Sequence, residues 1–133
     1  MVVDTSALVA ILEQEQEARR FSEAIAAAEN CLVSAATVVE TGIVILARHG
    51  ELGAAKVDRL LQEAQVEIIP VTEDHVRLAR EGFSRFGKGR HPAGLNFGDC
   101  FSYALARATG LLLLFKGDDF SQTDVRPALP LPE

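Results

Sequence analysis

The sequence predicts an α/β fold, in which helices cover both faces of a central parallel sheet of four to five strands. Short, continuously apolar runs alternate along the chain with longer segments whose apolar residues recur three and four positions apart. Runs of the first kind are typical of strands buried on both faces, and the second spacing is typical of amphipathic helices. A succession of this kind favours parallel strands joined by helices.

Four apolar runs are predicted to be strands buried on both faces. In chain order they are Met1–Val3, Cys31–Val33, Val66–Val71 and Leu111–Phe115. Each run is too short to span a membrane, which needs about 20 apolar residues.

Helical spacing fills the segments between the predicted strands. It extends from Leu8 to Ile25, with one helix predicted over Glu13–Ala28, and continues over Thr37–Arg48 and around Val57–Leu61. Glycine tolerates the left-handed backbone that ends many helices. We therefore expect helices to end at Gly50, Gly53 and Gly110.

The chain of 133 residues is predicted to be one domain over residues 1–125, followed by a tail over residues 126–133. The tail holds three of the five prolines and is expected to form no regular element. Inside the domain, the glycines and proline of Phe86–Gly94 predict a flexible loop.

The net charge of −6 argues against a general nucleic-acid coat protein and suits a basic partner segment. Cys31 and Cys100 lie in apolar runs and are predicted to be buried free thiols in a reducing compartment. Asp4 interrupts the apolar start, so no N-terminal signal is predicted. Together these observations predict a cytoplasmic protein with no membrane segment.

Acidic residues stand beside the predicted core at four places. Asp4 follows the first strand and Asp118-Asp119 follow the last, whereas Glu40 and Asp99 lie where helices begin. Strand ends and helix starts meet at the carboxyl edge of a parallel sheet, where ligands bind. We therefore expect these carboxylates to meet at one edge.

Each acidic residue also has a purely structural explanation. Thr37-x-x-Glu40 matches a capping box, and Asn96-x-x-Asp99 places Asp99 in a first helical turn. Asp4 and Asp118-Asp119 fit ordinary turns.

The combination is better explained by a cation. Carboxylates that share a site repel one another and raise their pKa values unless a cation holds them. Magnesium prefers such oxygen ligands, and two ions can promote attack by water on a phosphodiester. Zinc is not indicated, because His49, His75 and His91 are isolated in the sequence. The sequence also has neither a phosphate-binding loop nor a serine nucleophile elbow.

Three segments resemble PIN-domain ribonucleases, and the last resembles the VapC toxins in particular. They are Val2–Leu8, Asn96–Ala106, and Leu113–Phe120 with Thr123–Val125. The resemblance runs from Met1 to about Val125. It implies a PIN-like three-layer α/β/α fold and a magnesium-dependent endoribonuclease, with manganese as a substitute ion. Such an enzyme is the toxin of a type II toxin–antitoxin pair.

The resemblance also implies a site. Asp4 and Asp99 would be the main metal ligands, Glu40 a ligand directly or through water, and Asp118 the fourth acid in preference to Asp119. Many members carry that acid where this chain has Gly117. Supporting roles fall to Thr5, Ser6 and Asn96. The implied partners are a VapB-like antitoxin that inserts a basic residue, and a second copy through Glu13–Ala28 or Thr37–Arg48.

RNA contacts are predicted from the basic loop residues Arg85, Lys88 and Arg90, and from Lys116. The loop charges fit a merely solvated loop equally well. Phe86 or Phe97 would stack on a base, although packing in the core is the more common role of such residues.

Two alternatives to the nuclease are considered. The first is a non-catalytic module whose acidic groove binds a basic segment. The second is a magnesium phosphohydrolase or a receiver-like domain, which is disfavoured because no acid directly follows Val66–Val71.

Overall fold

The computed structural model describes residues 1–131; Pro132 and Glu133, which belong to the predicted tail, lie outside the described residues. Its strands are β1 (Val2–Val3), β2 (Cys31–Ser34), β3 (Val66–Ile69) and β4 (Leu113–Leu114). Its helices are α1 (Thr5–Leu12), α2 (Ala18–Ala27), α3 (Ala35–Glu63), α4 (Glu73–Phe86) and α5 (Phe97–Thr109). A short 3₁₀ turn follows at Phe120–Gln122.

The four strands form one parallel sheet in the order β3-β2-β1-β4. Val2 of β1 lies between Leu32 of β2 and Leu113 of β4, so the first strand is central and pairs with the last. The predicted α/β class and parallel sheet are confirmed. The number of strands falls within the predicted four to five.

Successive side chains of the strands point to opposite faces and divide the core in two. Val2 and Leu113 pack with α4 and α5, around the fully buried Tyr103. Val3 and Leu114 pack with α1, α2 and α3 on the other face. The result is a three-layer α/β/α arrangement in which β1 and β4 are buried on both faces, although β4 is shorter than the predicted run Leu111–Phe115, of which Leu111 and Leu112 are exposed.

The edge strand β3 differs from its prediction. Glu67 and Ile68 are exposed, and the strand ends at Ile69 rather than Val71. An edge strand has only one neighbour and less cover, so the apolar run Val66–Val71 overstated its burial.

One helix prediction is wrong. No single helix spans Glu13–Ala28, because Glu13 caps the end of α1 and α2 begins only at Ala18. Gln14, between the two helices, has a φ of 53°. This left-handed conformation is uncommon for residues other than glycine, so the sequence does not predict a break at Gln14.

Of the three predicted glycine stops, two are confirmed. Gly50 (φ 69°) breaks α3, and Gly110 (φ 72°) caps α5 in the left-handed conformation. Gly53 is buried within the second part of α3 and ends nothing.

The start of the predicted tail pairs with the sheet. The Leu113 N–H donates to the Arg126 carbonyl (2.9 Å), and the Ala128 N–H donates to the Leu113 carbonyl (2.8 Å). This single bridge beside β4 holds the segment in place without forming a strand.

The glycine-rich loop is also tied by backbone hydrogen bonds. The Lys88 N–H donates to the Leu95 carbonyl (2.8 Å), and the Leu95 N–H donates to the Phe86 carbonyl (2.9 Å).

Within the part of the chain that the structure describes, no helix has the length and apolarity to cross a bilayer.

Candidate active site: an acidic groove

An open groove of about 390 Å³ lies at the carboxyl edge of the sheet. It is built where β1 leads into α1, where α5 begins, and along the first part of α3. Its acidic lining residues are Asp4, Glu13, Glu15, Glu40, Asp99 and Asp119. Asp4, Glu40, Asp99 and Asp119, which the sequence analysis expected at one edge, line the groove together, whereas Asp118 does not.

Asp4 is the most deeply buried of these acids, with 2% of its surface exposed. It is the N-cap of α1, and its Oδ2 accepts from the N–H and the hydroxyl of Ser6 (3.0 and 2.7 Å). Its Oδ1 accepts from the hydroxyl of Ser102 (2.6 Å), which in turn lies 3.3 Å from the Thr37 hydroxyl. Three donors therefore fix both oxygens and satisfy a carboxylate that burial alone would destabilise.

Glu40 lies on α3 and faces the groove. The Thr5 hydroxyl donates to its Oε1 (2.5 Å), and the Thr41 hydroxyl donates to Thr5 (3.2 Å). The predicted capping box of Thr37 and Glu40 is wrong, because α3 begins earlier and Ser34 is its N-cap. Glu40 is thus a groove residue and not a cap.

Asp99 lies in the first turn of α5, as predicted, and forms a capping box with Asn96. The Asp99 N–H donates to Asn96 Oδ1 (2.9 Å), and the Asn96 N–H donates to Asp99 Oδ2 (3.0 Å). Burial raises the pKa of Asp99 to about 7, and the charges of Asp4, Asp119 and Glu40 add to this effect. The hydrogen bond from the Asn96 N–H acts in the opposite direction and lowers the pKa. The capping box sets the orientation of a carboxyl group that lies among like charges.

The fourth acid of the groove is Asp119. Both Asp118 and Asp119 are exposed, but only Asp119 lines the groove with Asp99; Asp118, which the sequence argument favoured, is not among the lining residues. Burial, and then the charges of Asp4 and Asp118, raise the pKa of Asp119. Gly117 has a φ of 100°, so an acid at that position would be strained.

Two basic residues reach the groove, and both are paired with rim glutamates. The Lys116 ammonium lies 2.6 Å from Glu15 and 3.4 Å from Glu17, and Glu15 is the main cause of its raised pKa. The Arg48 guanidinium donates to Glu13 (2.8 Å). Sequence reasoning missed Arg48, although Glu40, Val44 and Arg48 are spaced by four residues and so share one face of α3.

The three basic loop residues do not line the groove. Arg85 pairs with Asp124 (3.1 Å), and Arg90 donates to the Ser84 carbonyl (3.2 Å), while Lys88 is exposed. Phe86 packs on Tyr103 in the core, whereas 81% of Phe97 is exposed. Packing in the core is therefore confirmed for Phe86 and wrong for Phe97.

The cysteines take no part in the groove. Both Cys31 and Cys100 are buried free thiols, as predicted. Burial, and then Asp99, raise the pKa of Cys100 to about 11, so its thiol remains protonated.

The groove suits a hard divalent cation by the chemistry of its donors. Within residues 1–131, no three acidic, histidine or cysteine side chains already enclose a common point. Magnesium does not require this, because it keeps several waters and binds through one or two carboxylates. The repulsion that raises the pKa of Asp99 would be relieved by such an ion.

Comparison with known proteins agrees with this geometry. Residues 1–126 match the family model described as the PIN domain. Ribonuclease VapC30 of Mycobacterium tuberculosis is 50% identical over 131 residues, which cover 98% of this chain and all of that relative. Ribonuclease VapC of Mycolicibacterium smegmatis is 50% identical over 125 residues, covering 94% of this chain and 97% of that relative.

Two solved structures share the fold. The crystal structure of M. tuberculosis VapC20, described as a sarcin-ricin loop cleaving toxin, has a TM-score of 0.75 at 23% identity. The match covers 95% of this chain and 98% of VapC20. A toxin–antitoxin complex from Klebsiella pneumoniae has a TM-score of 0.69 at 19% identity, over 92% of both chains. With its full-length family match and these close relatives, the chain belongs to the PIN-domain family, among its VapC ribonucleases.

Proposed function

We propose that this chain is the endoribonuclease toxin of a type II toxin–antitoxin pair, and that the acidic groove hydrolyses RNA phosphodiesters with Mg²⁺. The observation that carries the proposal is the convergence of Asp4, Glu40, Asp99 and Asp119 in one groove. These residues lie far apart in sequence. The membership of the VapC ribonucleases supports the same chemistry.

The roles of the groove residues follow from their contacts. Asp4 and Asp99 would hold the ion, because hydrogen bonds already fix the orientation of each carboxyl group. When bound, the ion supplies an acidified water and positive charge against the phosphate. Glu40 faces the same space and would hold the ion directly or through a water, and Asp119 would orient a water for in-line attack. Mn²⁺, with the same preference for oxygen ligands, would substitute.

The RNA backbone would enter along the basic side of the groove. Lys116 and Arg48 line it, and a phosphate would compete with Glu15 and Glu13 for their charges. Arg85, Lys88 and Arg90 would contact the RNA only beyond the groove. The exposed ring of Phe97, the first residue of α5, is placed to stack on an unpaired base.

The proposed protein partners follow from charge and exposed apolar surface. A VapB-like antitoxin would place a basic residue in the acidic groove and so compete with the cation. A second copy would cover the apolar face of α3 within Thr37–Arg48, where 60% of Val39 and 61% of Ile43 are exposed. An RNA substrate and two reduced cysteines suit the cytoplasm.

The test is cleavage of a purified RNA pool containing tRNA, rRNA and mRNA by the wild-type chain and by Asp99→Asn. Both proteins are assayed with Mg²⁺ or Mn²⁺ and again with a chelator. Loss of the metal role of Asp99 would remove several kcal/mol of transition-state stabilisation, which corresponds to at least about a hundredfold in rate. Asparagine keeps the acceptor for the Asn96 N–H, so the fold should survive.

Asp58→Asn is the matched control, because it makes the same chemical change at an exposed position of α3 outside the groove. It should cleave like the wild type. Wild-type cleavage by a folded Asp99→Asn variant would contradict the assigned role. No cleavage by the wild-type chain, free of antitoxin, would favour the non-catalytic binding module.

A further inference from the structure

Gly98, the second residue of α5, lies against the carboxyl group of Glu40. Its backbone is helical and needs no left-handed conformation, so nothing in the local geometry requires glycine. Glycine is also less favourable than alanine in a helix. The reason for glycine here must therefore be sought in the space around it.

That space is filled by the carboxyl group of Glu40. A Cβ atom added to Gly98 would overlap Glu40 Oε2 and the carboxyl carbon, and it would lie 2.6 Å from Oε1. Real Cβ atoms essentially never approach another heavy atom within 3.0 Å. Any side chain at position 98 must therefore displace one of the two partners.

The partner that moves is the Glu40 side chain. The first turn of α5 is held by the reciprocal bonds of Asn96 and Asp99, and helix backbone resists displacement. The Glu40 carboxylate lies at the end of a flexible side chain. On its other side, Thr5 donates to Oε1, so displacement away from Gly98 would disturb this hydrogen bond as well.

We propose that Gly98 is a positioning residue for Glu40: the missing side chain lets the Glu40 carboxylate lie against the start of α5, beside Asp99. The contact with Glu40 stands on the geometry alone, whereas its effect on RNA cleavage rests on the proposed function. Gly98 touches neither ion nor substrate in this assignment and acts only through Glu40.

The test is Gly98→Ala, with two readouts. Binding of Mn²⁺ is followed by the electron paramagnetic resonance signal of the free ion, and cleavage is followed on the RNA pool. Loss of a residue that orients a metal-site carboxylate typically costs about 10- to 100-fold in affinity or activity. We expect at least about a tenfold fall in both readouts. The denaturation midpoint should stay close to that of the wild type, because the helix preference of alanine offsets the disturbed Thr5 hydrogen bond.

Two further variants separate positioning from general damage. Gly42→Ala makes the same change on α3, where an added Cβ would meet nothing within 4 Å, and it should bind Mn²⁺ and cleave RNA like the wild type. In a Glu40→Ala background the obstructed carboxylate is gone. Gly98→Ala should there cause no further loss, because coupled residues are non-additive.

Three results would overturn the proposal. They are wild-type Mn²⁺ binding and cleavage by Gly98→Ala, a full additional loss in the Glu40→Ala background, and a loss that merely follows a lowered denaturation midpoint. If the wild-type chain cleaves no RNA but Gly98→Ala still weakens Mn²⁺ binding in a Glu40-dependent way, the positioning role stands and the proposed function fails.

Discussion

The two walls of the groove hold their carboxylates in different ways. Asp4 and Glu40, on one wall, accept hydrogen bonds from the hydroxyls of Ser6, Ser102 and Thr5. Asp99 and Asp119, on the other wall, have raised pKa values, because burial and neighbouring carboxylates oppose their ionisation. The first wall is arranged before any ion arrives. The acids of the second wall would be stabilised by a positive charge, and the protein does not supply one to them.

This difference assigns separate tasks to the walls. Hydroxyl donors orient a carboxylate without cancelling its charge, so the first wall keeps both its geometry and its attraction for a cation. The second wall gains most from the cation, because an ion there would relieve the repulsion among the acids. Three experiments break or sharpen this comparison, from the largest expected effect to the smallest.

The largest effect concerns the neighbours Asp119 and Asp118. Asp119→Asn should lower RNA cleavage by about 30-fold, because a loss of about 2 kcal/mol of transition-state stabilisation has that effect on a rate. Asp118→Asn should change cleavage by less than about threefold, which corresponds to well under 1 kcal/mol. Initial rates on one RNA at saturating Mg²⁺ measure both. Equal effects of the two variants would remove the distinction between the acid that lines the groove and the acid that does not.

The second experiment removes a donor from the first wall. Ser102→Ala leaves Asp4 Oδ1 and the Thr37 hydroxyl short of a partner in fully buried surroundings. An unsatisfied buried group costs about 1–3 kcal/mol, so the free energy of unfolding should fall by that amount. Cleavage should fall about tenfold, because a metal-site carboxylate loses its orientation. Urea denaturation and initial rates are measured together.

Ser22→Ala, at an exposed position of α2, is the control for the same chemical change. It should match the wild type in stability and in rate. A Ser102→Ala variant as stable and as active as wild type would show that the hydroxyls of the first wall are dispensable.

The third experiment follows the second wall by pH. The pKa of Asp99 is raised from 3.8 to about 7, so between these pH values the folded state binds more protons than the unfolded state. The free energy of unfolding must then fall as pH rises through this window. One pKa unit corresponds to about 1.4 kcal/mol, and solvent screening of a partly exposed group reduces the effect, so we expect a loss of about 1–2 kcal/mol.

The measurement is urea denaturation of the wild type and Asp99→Asn in a chelator, from pH 4 to pH 8. The wild type should lose stability relative to the variant as pH rises. When Mn²⁺ replaces the chelator at pH 8, the stability of the wild type alone should be restored. Parallel plots of unfolding free energy against pH for the two proteins would show that the pKa of Asp99 is not raised in the folded state.

Much of the site could be predicted from local patterns. Asp4 at the end of a strand and the Asn96-x-x-Asp99 capping box are short-range features, and the structure shows both. The sheet edge brings them together because strand ends and helix starts meet there in any parallel α/β fold. The fold class likewise followed from periodicity.

What escaped prediction depends on contacts between distant residues. The partner of Glu40 at Gly98 is 58 positions away, and no helix or strand pattern reveals that a carboxyl group fills the place of a side chain. The choice between Asp118 and Asp119 depends on the turn after β4, which begins at Gly117 with a left-handed backbone. The pattern Thr37-x-x-Glu40 fits a capping box, but α3 begins at Ala35 with Ser34 as its N-cap, and a four-residue pattern cannot show where a helix starts.

The pairing of β1 with β4 has a consequence for synthesis of the protein on the ribosome. Asp4 is among the first residues made, yet its strand pairs with residues 113 and 114, and Asp119 comes later still. A nascent chain that has not reached this point holds three of the four acids but not the groove. Translation that stops before residue 113 therefore releases a polypeptide without the acidic groove. The groove can form only after nearly the whole chain has been synthesised.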